Sequence, residues 1–150
     1  MSDARLSEAL RKVIVSAKYG ASWPQLEQAL DELAGDPAAN LEFRCECAYN
    51  RMILAKGLER PRAELEQIFV EIAPTFEAAS LAYLARATAS FAASDHDLAA
   101  RYLPPLRERL DAALAAPDAP DREELTRLRD DIARILARHG VANGDDGEAP

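Results

Sequence analysis

Apolar residues recur along this chain every three to four positions, the spacing of a single buried helical face, and no stretch alternates as a half-buried strand would. Leu6, Leu10, Val13, Ile14 and Ala17 form the first such stripe, opposite Arg5, Glu8, Arg11 and Lys12, and Gly20 ends it. Ser22-Trp23-Pro24-Gln25 reads as a capping box with proline in the first turn. It opens a second helix that buries Leu26, Ala29, Leu30 and Leu33 and closes at Gly35. Asp36-Pro37 predicts the cap of a third helix, with Leu41, Cys45, Ala48, Met52 and Ala55 on one face and an end at Gly57. A fourth helix, from near Pro61, carries Leu65, Ile68, Phe69 and Ile72 and is expected to stop before Pro74.

Thr75 predicts the cap of a fifth helix running to about Ala93. With only Glu77 and Arg86 charged, it should be covered nearly all round and form the centre of the core. Asp95 predicts the sixth cap, and Leu103-Pro104-Pro105 removes two backbone donors, which predicts a kink or break. Beyond the linker Pro117 to Pro120, Asp121 and Glu124 form a further predicted capping box. The last helix turns Leu125, Leu128, Ile132, Ile135 and Leu136 inward and ends at Gly140. The polar, acidic stretch Val141 to Pro150 has too little apolar surface to order itself. These elements predict an all-α protein with one domain over 1–140 and a disordered acidic tail over 141–150.

The predicted helices start at a period of about 35 to 37 residues when taken in pairs: Asp3, Pro37 and Thr75 for the first members, Ser22, Arg60 and Asp95 for the second. Two segments carry a family resemblance. Ala48-Tyr49-Asn50-Arg51-Met52 is similar to the middle of a first repeat helix, and Ser94-Asp95-His96-Asp97-Leu98-Ala99 to the turn that opens a second one. Over about residues 3–115 the chain thus resembles the tetratricopeptide-repeat family. Pro74 matches its repeat-ending proline, whereas Pro104-Pro105 departs from it. The resemblance implies a right-handed stack of three helix pairs, with the last helix, Asp121 to His139, capping the exposed end. An irregular bundle of the same helices is the alternative.

Charge and composition narrow the function classes. A formal charge of −8 and a pI near 4.8 repel phosphate backbones, which argues against nucleic-acid partners. No run approaches the roughly 18 apolar residues of a membrane span, and Met1 to Lys18 lacks a signal-peptide core, so the expected location is the cytoplasm, with no membrane partner. Lysine occurs only at 12, 18 and 56, and this scarcity beside abundant arginine and alanine matches a GC-rich bacterial genome. Cys45 and Cys47 are two residues apart on a helix and project away from one another, so they read as packing residues of a reducing compartment rather than a bridge or chelate.

Catalytic signatures are scarce. His96, between Asp95 and Asp97, reads as a surface turn; a phosphorelay histidine would sit mid-helix, and Ala99 and Ala100 stand where its lysine and glycine would be. His139 beside Gly140 reads as a cation at a helix C-terminus. The chain shows no glycine-rich phosphate loop, metal-ligand spacing or nucleophile elbow, so neither an enzyme nor a cofactor is expected.

In the resembled family the first helices of the pairs line a concave face. Arg5, Arg11, Lys12, Lys18, Arg44, Arg51, Lys56 and Arg86, against Asp3, Glu8, Glu42, Glu46 and Glu77, leave those helices at about +3, and the second helices at about −5. This predicts an adaptor or chaperone that binds a protein or peptide, preferentially an acidic segment, through Lys12, Arg44, Asn50, Arg51, Tyr83 and Arg86. Phe43 and Tyr49 are further aromatic candidates, and Trp23 reads as a packing cap. The alternative is a helical subunit that self-associates into a homo-oligomer through apolar surface around Phe69, Val70 and Leu103.

Overall fold

The computed structural model describes residues 4–141, which form seven α-helices and no strand. These are α1 (Ala4–Lys18), α2 (Trp23–Ala34), α3 (Leu41–Gly57), α4 (Arg62–Ala79), α5 (Leu81–Ala92), α6 (His96–Leu114) and α7 (Arg122–Arg138). The all-α class read from periodicity is what the chain adopts. The sequence suggests one domain over 1–140; the backbone contacts group into two compact units, Met1–Ala79 and Ser80–Pro150. Asp3 and, apart from Val141, the predicted acidic tail lie outside the described residues.

In the first unit α3 packs against α1, α2 and α4, and α1 also packs against α2. The sequence of α3 explains this placement. Phe43, Cys45, Cys47, Ala48, Met52 and Ala55 are all buried, and they occupy too wide an arc for a single neighbour to cover. Phe43 and Cys47 join Leu6, Leu10, Leu30 and Ala39 in one apolar cluster, edged by Val13, Ile14 and Leu33. On another side the Cys45 thiol reaches the Thr75 carbonyl of α4 at 3.5 Å. The Ser22 capping box forms as predicted: the Gln25 amide donates to the Ser22 hydroxyl at 3.4 Å, and the Ser22 amide to the Gln25 side chain at 3.0 Å. Gly20 takes the left-handed conformation expected of it, with φ +93°.

In the second unit α5, α6 and α7 each pack against the other two. Ala82, Ala85, Ala87 and Ala92 of α5 are buried, and these small side chains allow close approach of its neighbours. Leu98, Leu103 and Leu110 from α6 and Ile132 and Leu136 from α7 fill the rest. Thr88, the buried polar residue of α5, donates its hydroxyl to the Leu84 carbonyl at 2.6 Å, so its burial leaves no donor unsatisfied.

Several predicted boundaries are corrected. Pro74 does not end the fourth helix; α4 continues to Ala79, and α5 starts at Leu81 under a cap from Ser80, whose hydroxyl accepts from the Tyr83 amide at 3.0 Å. The predicted break at Pro104-Pro105 is likewise absent, and α6 runs through both prolines. The cause is common to both helices. A proline leaves the carbonyl four residues earlier without its helical donor, and here those carbonyls belong to Val70, Ala100 and Arg101, all exposed residues. The third helix starts at Leu41, where the Asn40 side chain accepts from the Phe43 amide at 2.8 Å. Asp36 instead closes a turn on the Ala38 amide at 2.8 Å. The Asp121 capping box does not form: Asp121 is left-handed, with no side-chain cap bond, and Glu124 is drawn to Arg86.

α3 ends at Gly57, where the pattern places its end, but the glycine itself is not left-handed. That conformation falls on Glu59, with φ +56°, while the Glu59 and Arg60 amides donate to the Lys56 and Ala55 carbonyls, each at 3.0 Å. A side chain there carries a steric cost of roughly 1–2 kcal/mol, part of which glycine would return as backbone entropy. Glu59→Gly should therefore stabilise the protein by about 0.5–1 kcal/mol in urea denaturation; a destabilised variant would show that Glu59 makes a compensating interaction.

Candidate functional site

Arg44, Cys47, Ala48 and Arg51 follow one another at helical spacing along α3 and line a cleft between α2 and α4, the buried Cys47 and Ala48 forming its floor and the two arginines flanking them. Leu30 and Ala34 of α2 and Ile72 of α4 supply apolar walls, with Asp31, Glu71 and Thr75 around them, and the cleft holds about 170 Å³. Among the described residues α2 and α4 make no direct backbone contact, which leaves the hollow open above α3. A more polar depression, lined also by Pro24, Glu27 and Gln28, shares Asp31, Arg51 and Glu71 with the cleft.

Arg51 governs the electrostatics of the cleft. Its Nε and Nη2 donate to Glu27 Oε2 of α2 at 3.2 and 2.7 Å, and Nη2 also donates to Glu71 Oε1 of α4 at 2.9 Å. One guanidinium thus ties together three helices. Burial works against its charge, but the Glu27 and Glu71 hydrogen bonds outweigh that and raise its pKa above the ordinary arginine value. Glu71 is held below the usual carboxylate range, first by the Gln67 amide, which donates at 3.1 Å, and then by Arg51. Arg44 is exposed, and its Nη1 donates to the Ala39 carbonyl at 2.8 Å.

The residues proposed from sequence are thus dispersed. Arg44 and Arg51 come together on the cleft; Lys12 is exposed on α1 and does not line it. Asn50 turns back along α3, its amide donating to the Glu46 carbonyl at 2.8 Å. Tyr83 and Arg86 belong to the second unit, where the Arg86 guanidinium lies 5.2 Å from the Tyr83 ring centre and pairs with Glu124 at 2.5 Å. Phe43 and Trp23 are buried. The apolar patch suggested around Phe69, Val70 and Leu103 does not form as a surface: Phe69 and Leu103 are buried on the inward faces of α4 and α6, and of the three Val70 alone is exposed. Sequence reasoning missed Glu27 and Glu71 as partners of Arg51, because they lie 24 and 20 positions away and no local pattern links them.

Cys47 lines the cleft yet is 2% exposed, and burial together with the Glu46 charge pushes its thiol up to about 11. Burial raises the Cys45 thiol as well. Both therefore remain protonated near neutral pH, and a thiolate nucleophile is not what this cleft presents. Among the described residues there is no group of three or more His, Cys, Asp or Glu placed to hold a metal ion, and no helix is long and apolar enough to cross a membrane. Comparison with protein-family models, with curated proteins and with solved structures gives no match.

The Arg51 network generates a pH signature. Removing it by Arg51→Ala should cost about 1–2 kcal/mol near neutral pH, from lost ion pairing and lost packing of the arginine stem. Glu71, with a folded pKa below its unfolded value, contributes stability that is complete above the ordinary carboxylate value of about 4.5 and lost as pH falls through the folded one. The gap between wild type and Arg51→Ala in urea midpoints should accordingly narrow on acidification. A gap that stays constant from neutral pH to acid would mean that the carboxylates are not what Arg51 stabilises.

Proposed function

We propose that this is a cytoplasmic protein-interaction module, an adaptor or chaperone rather than an enzyme, which holds a segment of a partner protein in the α2–α3–α4 cleft. The observation that carries the reading is the cleft itself, an apolar floor inside a charged rim. Its volume is below the roughly 300–1,000 Å³ of small-molecule and cofactor sites, and suits one aliphatic side chain of a peptide. Arg51 is compensated by Glu27 and Glu71, so the preference for an acidic residue beside that side chain rests on Arg44, whose exposed guanidinium can pair with a carboxylate.

A tetratricopeptide-like arrangement belongs to the same proposal. Within the first unit α1–α2 and α3–α4 are consecutive hairpins with α1 beside α3; within the second, α5–α6 is a hairpin against which α7 packs. Both patterns suit stacked helix pairs followed by a capping helix.

Peptides selected by display against the purified protein should share an aliphatic residue next to an acidic one. Arg44→Glu should weaken their binding by about tenfold or more, equivalent to about 1.4 kcal/mol, with the helical circular dichroism unchanged, and Lys12→Glu should leave it intact. Equal affinity of those peptides for wild type and Arg44→Glu would remove the cleft as the binding site, and sensitivity to Lys12→Glu alone would move it to the exposed side of α1.

A further inference from the structure

The chain has two histidines, 43 positions apart, and the second unit brings their rings together. His96 is the first residue of α6 and His139 the C-cap of α7; their ring centres are 5.9 Å apart and the planes are tilted by 53°. His96 is exposed and His139 half-buried, so one side of the pair is open to solvent.

The hydrogen bonding of His139 determines which nitrogen it can offer. Its Nε2 lies 2.7 Å from the Ala93 carbonyl oxygen. A carbonyl can only accept, so Nε2 carries the proton, and in the neutral ring Nδ1 is left with the free lone pair. This is the arrangement that fixes metal-binding imidazoles, one nitrogen on the ion and the other donating to a backbone carbonyl. Among the described residues the His96 side chain makes no hydrogen bond, only its ring contact with His139. The separation is also right: with metal–nitrogen bonds of about 2.0–2.1 Å, two imidazoles on one tetrahedral ion have ring centres roughly 5–6 Å apart.

The surrounding charge supports a cation. Ala93 and His139 are the C-caps of α5 and α7, so two negative helix ends converge on the pair. The positive N-terminus of α6 opposes them, and it carries the carboxylates of Asp95 and Asp97 on either side of His96.

We propose that His96 and His139 form a two-imidazole site for a divalent transition-metal ion of the zinc, nickel or copper class, with His139 pre-oriented by the Ala93 carbonyl. Such ions favour imidazole nitrogen, whereas magnesium and calcium favour oxygen. Two protein ligands leave the remaining coordination positions for water or for a donor from another molecule. The ion would join the start of α6 to the end of α7 and stabilise the second unit by mass action, since the two ligands are adjacent only in the folded chain.

The test is a calorimetric titration of the full-length, tag-free protein with zinc, accompanied by cobalt absorption spectra and melting curves. One ion per chain, a cobalt band typical of nitrogen ligation and a melting temperature that rises with zinc are expected, with magnesium inert. His96→Ala, at an exposed position, should weaken zinc binding by at least about tenfold and abolish the thermal shift; His139→Gln, which keeps an amide donor for Ala93, should do the same. Absence of binding up to about 1 mM zinc, or binding that survives His96→Ala in a folded protein, would overturn the assignment.

Discussion

In the first unit the rest of the structure depends on the breadth of the apolar surface of α3. A helix with a narrow apolar stripe is satisfied by one neighbour, whereas burying Phe43, Cys45, Cys47, Ala48, Met52 and Ala55 requires several. The packing of α1, α2 and α4 around α3 is the consequence. Because α2 and α4 cover α3 from two directions without meeting, the stripe between them keeps Ala48 and Cys47 at the bottom of an open cleft, with Arg44 and Arg51 at its rim.

Magnitudes decide what holds this arrangement together. A buried leucine such as Leu6, Leu26 or Leu30 is worth about 2–5 kcal/mol on truncation, whereas a half-exposed ion pair contributes about 0–1 kcal/mol. Apolar burial therefore drives assembly of the unit. The Arg51 bonds to Glu27 and Glu71 select among ways of packing, because the guanidinium reaches both carboxylates only when α2 and α4 hold one alignment along α3. The second unit follows a related rule with smaller side chains: buried alanines of α5 set close spacing, and Arg86–Glu124 and Arg129–Asp111 tie α7 to α5 and α6 from outside.

Features that depend on neighbouring residues were legible in the sequence. The Ser22 capping box, the left-handed Gly20 and Gly140, and the inward leucines and isoleucines of α7 all stand where the pattern places them. Misreadings occurred where a local rule is conditional on solvent. Proline signals a helix end when its unpaired carbonyl would be buried; at Pro74, Pro104 and Pro105 the residues bearing that carbonyl are exposed, and the helices continue. Asp121 carries a capping residue type and a glutamate three positions on, but Arg86, 38 residues from Glu124, competes for that glutamate.

The candidate sites divide along the same line. Residue types, their helical spacing and the choice of apolar faces are properties of the chain read in order, since propensity and periodicity act over one or two turns; from these came the helical class and the apolar face of α3, while Arg44 and Arg51 stood out by their charge. Whether a cation is spent on a partner, as Arg51 is on Glu27 and Glu71, and whether two histidines 43 positions apart meet, as His96 and His139 do, was decided by tertiary structure alone. The physical reason is range: hydrogen bonds and ring contacts act over a few ångströms, and only the packing of complete helices determines which distant residues come that close.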